Sequence, residues 1–516
     1  MLRTLRTLLR LITIARTLAR HDALAPLQQL GVAPAVGRFA ALVSRRHVQG
    51  RPGQKLAAAL TELGPSFIKL GQFLSTRADL LGEQMAADLS ELQDALPPFP
   101  AEQARQILEQ ELDQPLEALF ESFDDTPVSA ASIAQVHLAV TKAKDDRPVR
   151  EVAVKVLRPG VEAAFALDLA LFYDLAALAE RTQPRLRRFR PTEVVALFDK
   201  TVRIEMDLRM EAAAASELAE NFADDASYRV PGIDWERSSQ RVLTMDRVAG
   251  IPIDDREALL AAGHDLEAVL TKAAAVFFNQ VFRDGFFHGD QHPGNMWVDA
   301  AGNIVVVDFG IMGRLDRKTR SYLADMLLAT LTRDYRRLAE VHAEAGYLPP
   351  EGELDVFAQA LRSVCEPIFG RPLREISFAR LLAQLLQLTE AFSMPVQPQL
   401  LLLQKNMLMA EGISRRLTAD LNIWSLAQPL VEDWVIENRG PQARLRDSAE
   451  EAAHSLSRLP ETLRDVRKAA HNLAEGAVRL HPESIAALRQ EQVGNRWQTR
   501  LLWGLVGLLV LLLLLD

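Results

Sequence analysis

His288-Gly289-Asp290-Gln291-His292-Pro293-Gly294-Asn295, followed thirteen residues after Asn295 by Asp308-Phe309-Gly310 at the end of the apolar run Asn303-Ile304-Val305-Val306-Val307, carries the strongest chemical signal in the chain. Phosphoryl transfer needs a carboxylate to orient the attacking hydroxyl, an amide oxygen for one metal ion and a carboxylate for magnesium. Asp290, Asn295 and Asp308 supply these groups in kinase order and at kinase spacing. His288 and His292 stand at i and i+4 and could ligate zinc, but Pro293 and Gly294 make the segment a loop rather than a helix. A plain turn at Asp290 to Gly294 is the other alternative, and Asp308 weighs against it.

Upstream, Val152-Ala153-Val154-Lys155 places a lysine inside a strand, where an ammonium is costly unless it meets an anion, and a phosphate is the obvious one. Residues 192–222 are expected to be helical, and the helix Thr201 to Phe222 carries Glu205, Asp207 and Glu211, with Glu211 placed to pair with Lys155. Asp207 and Glu211, at i and i+4, share a face of that helix and invite a cationic or metal partner; a solvated acidic face is the alternative. The first strand begins Ser129-Ala130-Ala131-Ser132-Ile133-Ala134 and has no glycine where a phosphate loop is usually glycine-rich. Alanine has a narrower backbone range and adds a methyl group, so this loop is expected to be stiffer. In the helical stretch Gly64 to Arg77, Lys69, Gln72 and Thr76 share one face, opposite Phe67, Leu70 and Leu74. By composition alone that polar face is solvent-exposed.

Around these motifs, helical patterning runs from 22 to about 115, short strand signals fall at 128–140, 149–157, 228–232, 241–248 and 303–307, and helices dominate beyond 318. The body is therefore α+β, a small sheet-bearing lobe followed by a helical one. With 59 Lys+Arg against 68 Asp+Glu in 516 residues, the net charge of −9 speaks against nucleic acid as the main partner. The single cysteine, Cys365, excludes an intramolecular disulfide framework and any cysteine-rich metal centre. Both ends depart from the average. Residues 1–20 carry Arg3, Arg6, Arg10, Arg16 and Arg20 with no acid before Asp22, a basic amphipathic helix suited either to an anionic membrane surface or to docking on the body. At 501–515 fifteen consecutive residues lack a charge, and Arg496 and Arg500 precede them. At about 22 Å of helix the run falls short of the roughly 30 Å hydrocarbon core, so it spans with local thinning or inserts deeply. If it spans, the arginines place the body in the cytoplasm.

Taken together these segments resemble the UbiB family of atypical protein-kinase-like proteins, associated with ubiquinone biosynthesis. Lys69-Leu70-Gly71-Gln72 is similar to the family's Lys-x-Gly-Gln signature, Ser129 to His137 to its alanine-rich loop, and Glu205-Met206-Asp207 to its Glu-x-Asp motif. Lys155, Glu211, Asp290, Asn295 and Asp308 match the kinase core, and 392–417 with the apolar tail resembles bacterial members. The resemblance implies a two-lobed protein-kinase-like fold with a helical N-terminal extension (1–115) over the substrate groove, an N-lobe (116–250) and a helical C-lobe (251–440). A charged helical tail (441–500) and a membrane anchor (501–515) complete the expected organisation. The implied cofactors are ATP and Mg²⁺, with Ala130, Ala131, Ser132, Ile133, Ala134, Lys155 and Glu211 holding nucleotide and Asn295 and Asp308 holding metal. Asp290 and Lys69 are the implied catalytic residues. Lys69, Gln72, Glu205 and Asp207 form an implied regulatory set, in which Lys69 faces the acidic pair. Implied partners are membrane lipids, quinone precursors and other ubiquinone-biosynthesis enzymes, with a homodimer compatible, on the cytoplasmic face of a bacterial inner membrane. Two other functions fit the same motifs: a nucleotide-gated scaffold presenting quinone precursors, and a small-molecule kinase.

Overall fold

The computed structural model describes residues 2–23, 50–75, 83–90, 96–143, 148–182, 190–348, 353–369 and 398–418, with isolated positions 81, 92, 384, 385, 388, 392 and 394. The chain divides into two units, Met1–Trp434 and Val435–Asp516, and every described residue belongs to the first. Among the described residues no helix is long and apolar enough to cross a membrane; the expected tail at 441–500 and anchor at 501–515 lie outside them.

The N-terminal extension is helical: α1 (Leu2–Arg20), α2 (Pro52–Leu63), α3 (Pro65–Ser75) and α4 (Glu83–Ser90). A single residue, Gly64, joins α2 to α3 at φ 102°, a conformation that side-chain-bearing residues resist. Its N–H caps the carbonyl of Leu60, and Pro65 starts the next helix, so the chain turns with no loop. Gly71, the glycine of the Lys-x-Gly-Gln signature, lies where an added Cβ would run into methyl groups of Leu60 and Leu92. Close packing thus explains this glycine. α1 docks on the body, with Leu18 and Ala19 buried beside Ala59. Its Arg10 turns inward and donates to both oxygens of the buried Asp168, at 2.8 and 2.9 Å. Leu9 and Ile12 face outward, about half exposed.

Helix α5 (Ala101–Leu112), at the end of the stretch expected for the extension, packs on an antiparallel sheet built from β1 (Phe120–Phe123), β2 (Ser129–Ala130), β3 (Ala134–Thr141), β4 (Glu151–Leu157) and β6 (Val242–Asp246). The order is β1-β3-β4-β6, with β2 also pairing β3. In β4 the period of two sends Val152, Val154 and Val156 into a core with Ala104, Ile107 and Leu108 of α5. Lys155 consequently faces the other side of the sheet. α6 (Val161–Thr182) leads to α7 (Pro191–Glu205) and α8 (Leu208–Asn221). The helix expected from Thr201 to Phe222 is therefore divided between two, the first ending at Glu205 and the second starting at Leu208. Asp207 adopts an extended backbone and its side chain accepts from the Arg209 N–H, so this aspartate caps a new helix instead of continuing the old one.

A second sheet of four strands runs in the order β5-β10-β9-β7, built from β5 (Tyr228–Arg229), which comes from the stretch expected for the N-lobe, and from β7 (Ile251–Pro252), β9 (Met296–Val298) and β10 (Ile304–Val306). A separate antiparallel pair joins β8 (Phe286–His288) to β11 (Met312–Arg314). Several of these strands have only two or three residues and carry no alternation, which is why pattern alone does not find β7, β8, β9 or β11. Helices α9 (Leu266–Phe278), α10 (Arg317–Leu331), α11 (Tyr335–Glu344), α12 (Leu354–Phe369) and α13 (Pro398–Leu417) follow in order along the chain. Ile413 and Leu417 of α13 enter one core cluster with Leu270, Phe286, Val306 and Phe309. That packing seats α13 against the site-bearing strands.

Candidate active site

Lys155 is the hub. Its Nζ donates to both carboxylate oxygens of Glu211, at 2.8 and 2.9 Å, and to Asp308 Oδ1 at 3.0 Å. Glu211 comes from the first turn of α8 and is buried; the cap at Asp207 fixes the start of that helix and hence where Glu211 points. Asp308 follows β10 at φ 65°, in the left-handed region that aspartate tolerates better than most residues, with half of its side chain (52%) open to the cleft. Burial works against the charge on Lys155, yet Asp308 and Glu211 together hold its pKa above the ordinary lysine value. The Lys155 ammonium in turn keeps Asp308 well below the usual carboxylate range, with a smaller contribution from Lys69. Burial raises Glu211 against the pull of Lys155. The cleft therefore presents an ammonium and an ionised carboxylate in contact.

His288 ends β8 fully buried and ties the Asp290–Asn295 loop to the Asp308 segment. Its Nδ1 accepts the Asp290 N–H at 3.0 Å and its Nε2–H donates to the Asp308 carbonyl at 2.7 Å. Those roles define a neutral ring protonated at Nε2, and burial lowers its pKa accordingly. With both nitrogens engaged, His288 has none to offer zinc, and His292 turns its Nδ1 to the Gly294 N–H. The zinc alternative fails. Asn295 donates its amide nitrogen to the Asp290 carbonyl at 3.2 Å, so the oxygen is the atom it can give a hard cation. A π-helical turn at Asn279–Asp284 brings in buried Gln280, which accepts the His288 N–H at 2.9 Å.

The alanine-rich segment forms a tight reversal between β2 and β3, closed by Ala131 N–H to the Ala134 carbonyl at 2.8 Å. Arg158 fastens it from behind: its Nε donates to the Ala131 carbonyl at 3.0 Å and its backbone N–H to Ile133 at 2.8 Å. Ile133 and Ala134 share a core cluster with Leu60, Leu63 and Phe67 of the extension. Ser132 is fully buried, and its hydroxyl has no hydrogen-bond partner among the described residues.

Lys69, on α3, lies 3.2 Å from Glu205 Oε2, with both side chains largely buried. The polar face that composition assigned to solvent is thus turned inward at Lys69, and Gln72 is half-buried nearby on the same helix. Glu205 and Asp207 part company: Asp207 pairs with Arg209 at 2.7 Å, so the ion pair to Lys69 runs through Glu205. The acidic face anticipated for Asp207 and Glu211 is likewise divided, because the helix restarts between them. Four contributors escape sequence reading, buried Gln280 among them. Arg158 lies outside every motif, and Lys405 and Asn406 sit within the apolar stretch 396–414. Lys405 Nζ stands 2.8 Å from Asp290 Oδ1. The only sequence signal of Lys405 and Asn406 is the polar run Gln404-Lys405-Asn406 set between Leu400-Leu401-Leu402-Leu403 and Met407-Leu408-Met409.

A sheet lysine paired to a helix glutamate, set opposite a loop Asp-x4-Asn and a strand-terminal Asp-Phe-Gly, defines a protein-kinase-like protein of atypical type. Residues 91–342 match the ABC1 atypical kinase-like domain and residues 361–422 the UbiB helical domain. A Marinobacter nauticus protein named "Probable protein kinase UbiB" is 42% identical over 494 residues, covering 94% of this chain and 89% of that one. A Xanthomonas oryzae pv. oryzae protein of the same name is 42% identical, covering 89% and 84%. A solved structure of Rv3197 with erythromycin from Mycobacterium tuberculosis is similar at 24% identity and a TM-score of 0.46, covering 69% of this chain and 93% of that one. The chain belongs to the UbiB family of atypical kinases.

Proposed function

We propose that the cleft binds ATP with Mg²⁺ and that the chain acts as an atypical kinase or ATPase supporting ubiquinone production at a membrane. The observation that carries this is Lys155, held between Glu211 and Asp308 at 2.8 and 3.0 Å, a cation poised for phosphate beside a carboxylate poised for metal. The donor set fits the ion. Asp308 and the Asn295 amide oxygen are hard ligands, and two protein ligands leave the remaining positions to phosphate oxygens and water, as Mg²⁺ prefers. The unpaired Ser132 hydroxyl supports the alanine-rich loop, Ala130 to Ala134, as the place where phosphates meet the N-lobe. When bound, the metal would neutralise phosphate charge; Asp290 would orient the attacking hydroxyl or water, and Lys155 would hold the phosphates.

The ubiquinone role, and with it quinone precursors and neighbouring biosynthetic enzymes as partners, is supported by family membership. A bacterial inner-membrane location with the body in the cytoplasm is supported by the apolar run at 501–515 after Arg496 and Arg500. The test is mass spectrometry of quinone intermediates in cells carrying the wild type or Asp308→Asn. An accumulated precursor in the variant is the expected result, and an unchanged quinone profile would refute the role. Nucleotide-dependent lipid transfer without turnover would replace the kinase with the scaffold function. In membrane sedimentation, removal of 497–516 is expected to release at least part of the protein. Complete retention after truncation and a high-salt wash would place the membrane contact elsewhere.

Lys69, through Glu205, and the stiff loop, through Ala131, would restrain the chemistry. Lys69→Ala leaves Glu205 largely buried without this cation, and Ala131→Gly widens the loop's backbone range. Each variant should shift nucleotide affinity by a few-fold, with self-phosphorylation appearing in radiolabelled ATP. Wild-type affinity and incorporation in both would remove the inhibitory role.

A further inference from the structure

Four residues separate Asp290 from Asn295, Gln291-His292-Pro293-Gly294, and none of them is a lysine or arginine. A transferring phosphoryl group carries negative charge on its equatorial oxygens, and that charge has to be met on the side where the acceptor is held. Lys155 is committed to the Glu211 and Asp308 side of the cleft. Lys69 is paired with Glu205. Beside Asp290 the cation comes from a distant part of the chain: Lys405 Nζ, on α13, lies 2.8 Å from Asp290 Oδ1.

The placement of Lys405 is built, not incidental. One residue further along, Asn406 is fully buried and spans the catalytic loop, its Nδ2 donating to the His288 carbonyl at 2.5 Å and its Oδ1 accepting the Gln291 N–H at 3.2 Å. A Cβ on Gly289 would lie 3.4 Å from a methyl group of Leu402, one turn earlier on the same helix. At the far end, the Leu417 carbonyl accepts from Arg256 Nε at 2.9 Å and Arg416 pairs with Asp254 at 2.9 Å. Three consecutive loop residues, Gly289, Asp290 and Gln291, thus meet Leu402, Lys405 and Asn406. The Lys405 contact itself is an ion pair without hydrogen-bond alignment, and a third of its side chain (34%) stays open. With that much of its side chain open, the ammonium can reach a phosphate oxygen while it stays beside Asp290 and its helix stays fixed.

We propose that Lys405 is the terminal-phosphate cation of this site, supplied by the helix Pro398–Leu417 in place of a basic residue in the catalytic loop. The inference rests on the ATP site of the preceding section. It predicts that Lys405 discriminates a nucleoside triphosphate from a diphosphate, since only the former places a phosphoryl group at Asp290.

The test compares full-length wild type with Lys405→Ala and Lys405→Arg, titrating Mg²⁺ with ADP and with a non-hydrolysable ATP analogue, alongside thermal melts. Lys405→Ala should weaken the triphosphate analogue about tenfold, as for one charge-assisted contact, and leave ADP unchanged; Lys405→Arg should recover part of the loss. Equal weakening of both nucleotides would make Lys405 merely structural and overturn the proposal. Unchanged or tighter triphosphate binding would also overturn it, the latter marking Lys405 as a plug. Failure of the wild type to bind either nucleotide would overturn the ATP site and this inference together. Normal wild-type discrimination that persists in Lys405→Ala would overturn only the inference.

Discussion

Asp308→Asn should abolish most of the magnesium-dependent gain in nucleotide affinity, a loss of more than about tenfold, with little change in folding. The substitution keeps the side-chain shape. Asparagine, like aspartate, tolerates the left-handed backbone found at φ 65°. What disappears is the one carboxylate charge open to the cleft beside Lys155, while Lys155 keeps its partner Glu211. Titration of a fluorescent ATP analogue with Mg²⁺ and with EDTA separates the metal-dependent part. Unchanged affinity with Mg²⁺ would remove Asp308 from the site. Lys155 keeps Asp308 ionised far into the acid range, so between about pH 8 and about pH 5 the wild-type affinity should follow only the titration of the nucleotide's own terminal phosphate, with pKa of about 6, and show no step from Asp308. The stabilising effect follows the same sign. The folded pKa is depressed, so the ion pair contributes at neutral pH and fades only as the pH falls through that depressed value.

Phe67→Ala should cost about 3–5 kcal/mol of unfolding free energy and detach the extension before the rest of the body melts. The ring is buried on α3, stands edge-on to Phe172 of α6 at 5.2 Å and 85°, and receives the Arg10 guanidinium at 5.3 Å. One aromatic side chain therefore joins α1, α3 and α6. Truncation would leave a cavity between helices that hold Lys69 and Asp168. Leu9→Ala, on the outward face of α1, should stay within about 0.5 kcal/mol. Denaturant melts with limited proteolysis decide the matter. A Phe67→Ala protein within about 1 kcal/mol of wild type would show that the extension is held elsewhere.

Lys155 is legible in the sequence because one strand with strict alternation fixes which way it faces. Asp290, Asn295 and Asp308 are legible because loop chemistry is compressed into short spacings. Asp207 is misread for a physical reason: helical periodicity runs across 192–222 without a proline or glycine, and the restart depends on a capping bond that competes with the helix only locally. Lys69 is misread by composition because its partner, Glu205, lies far along the chain. The short C-lobe strands carry too few residues to show a period, and only tertiary pairing defines them. Arg158 acts through contacts with no local trace, and the polar run holding Lys405 and Asn406 marks a break in an apolar stretch without naming the loop it meets.

Asn406 has a consequence for how the protein can be cut. Its two bonds to the catalytic loop begin in the helical segment and end at His288 and Gln291, across the boundary between the two matched family segments. A fragment ending near residue 342 would leave the His288 carbonyl and the Gln291 amide without these bonds and strip the apolar cover from Val306 and Phe309. The helical segment is therefore no detachable accessory. It packs as part of the kinase-like body, and expression of the part ending near residue 342 alone should give an insoluble chain.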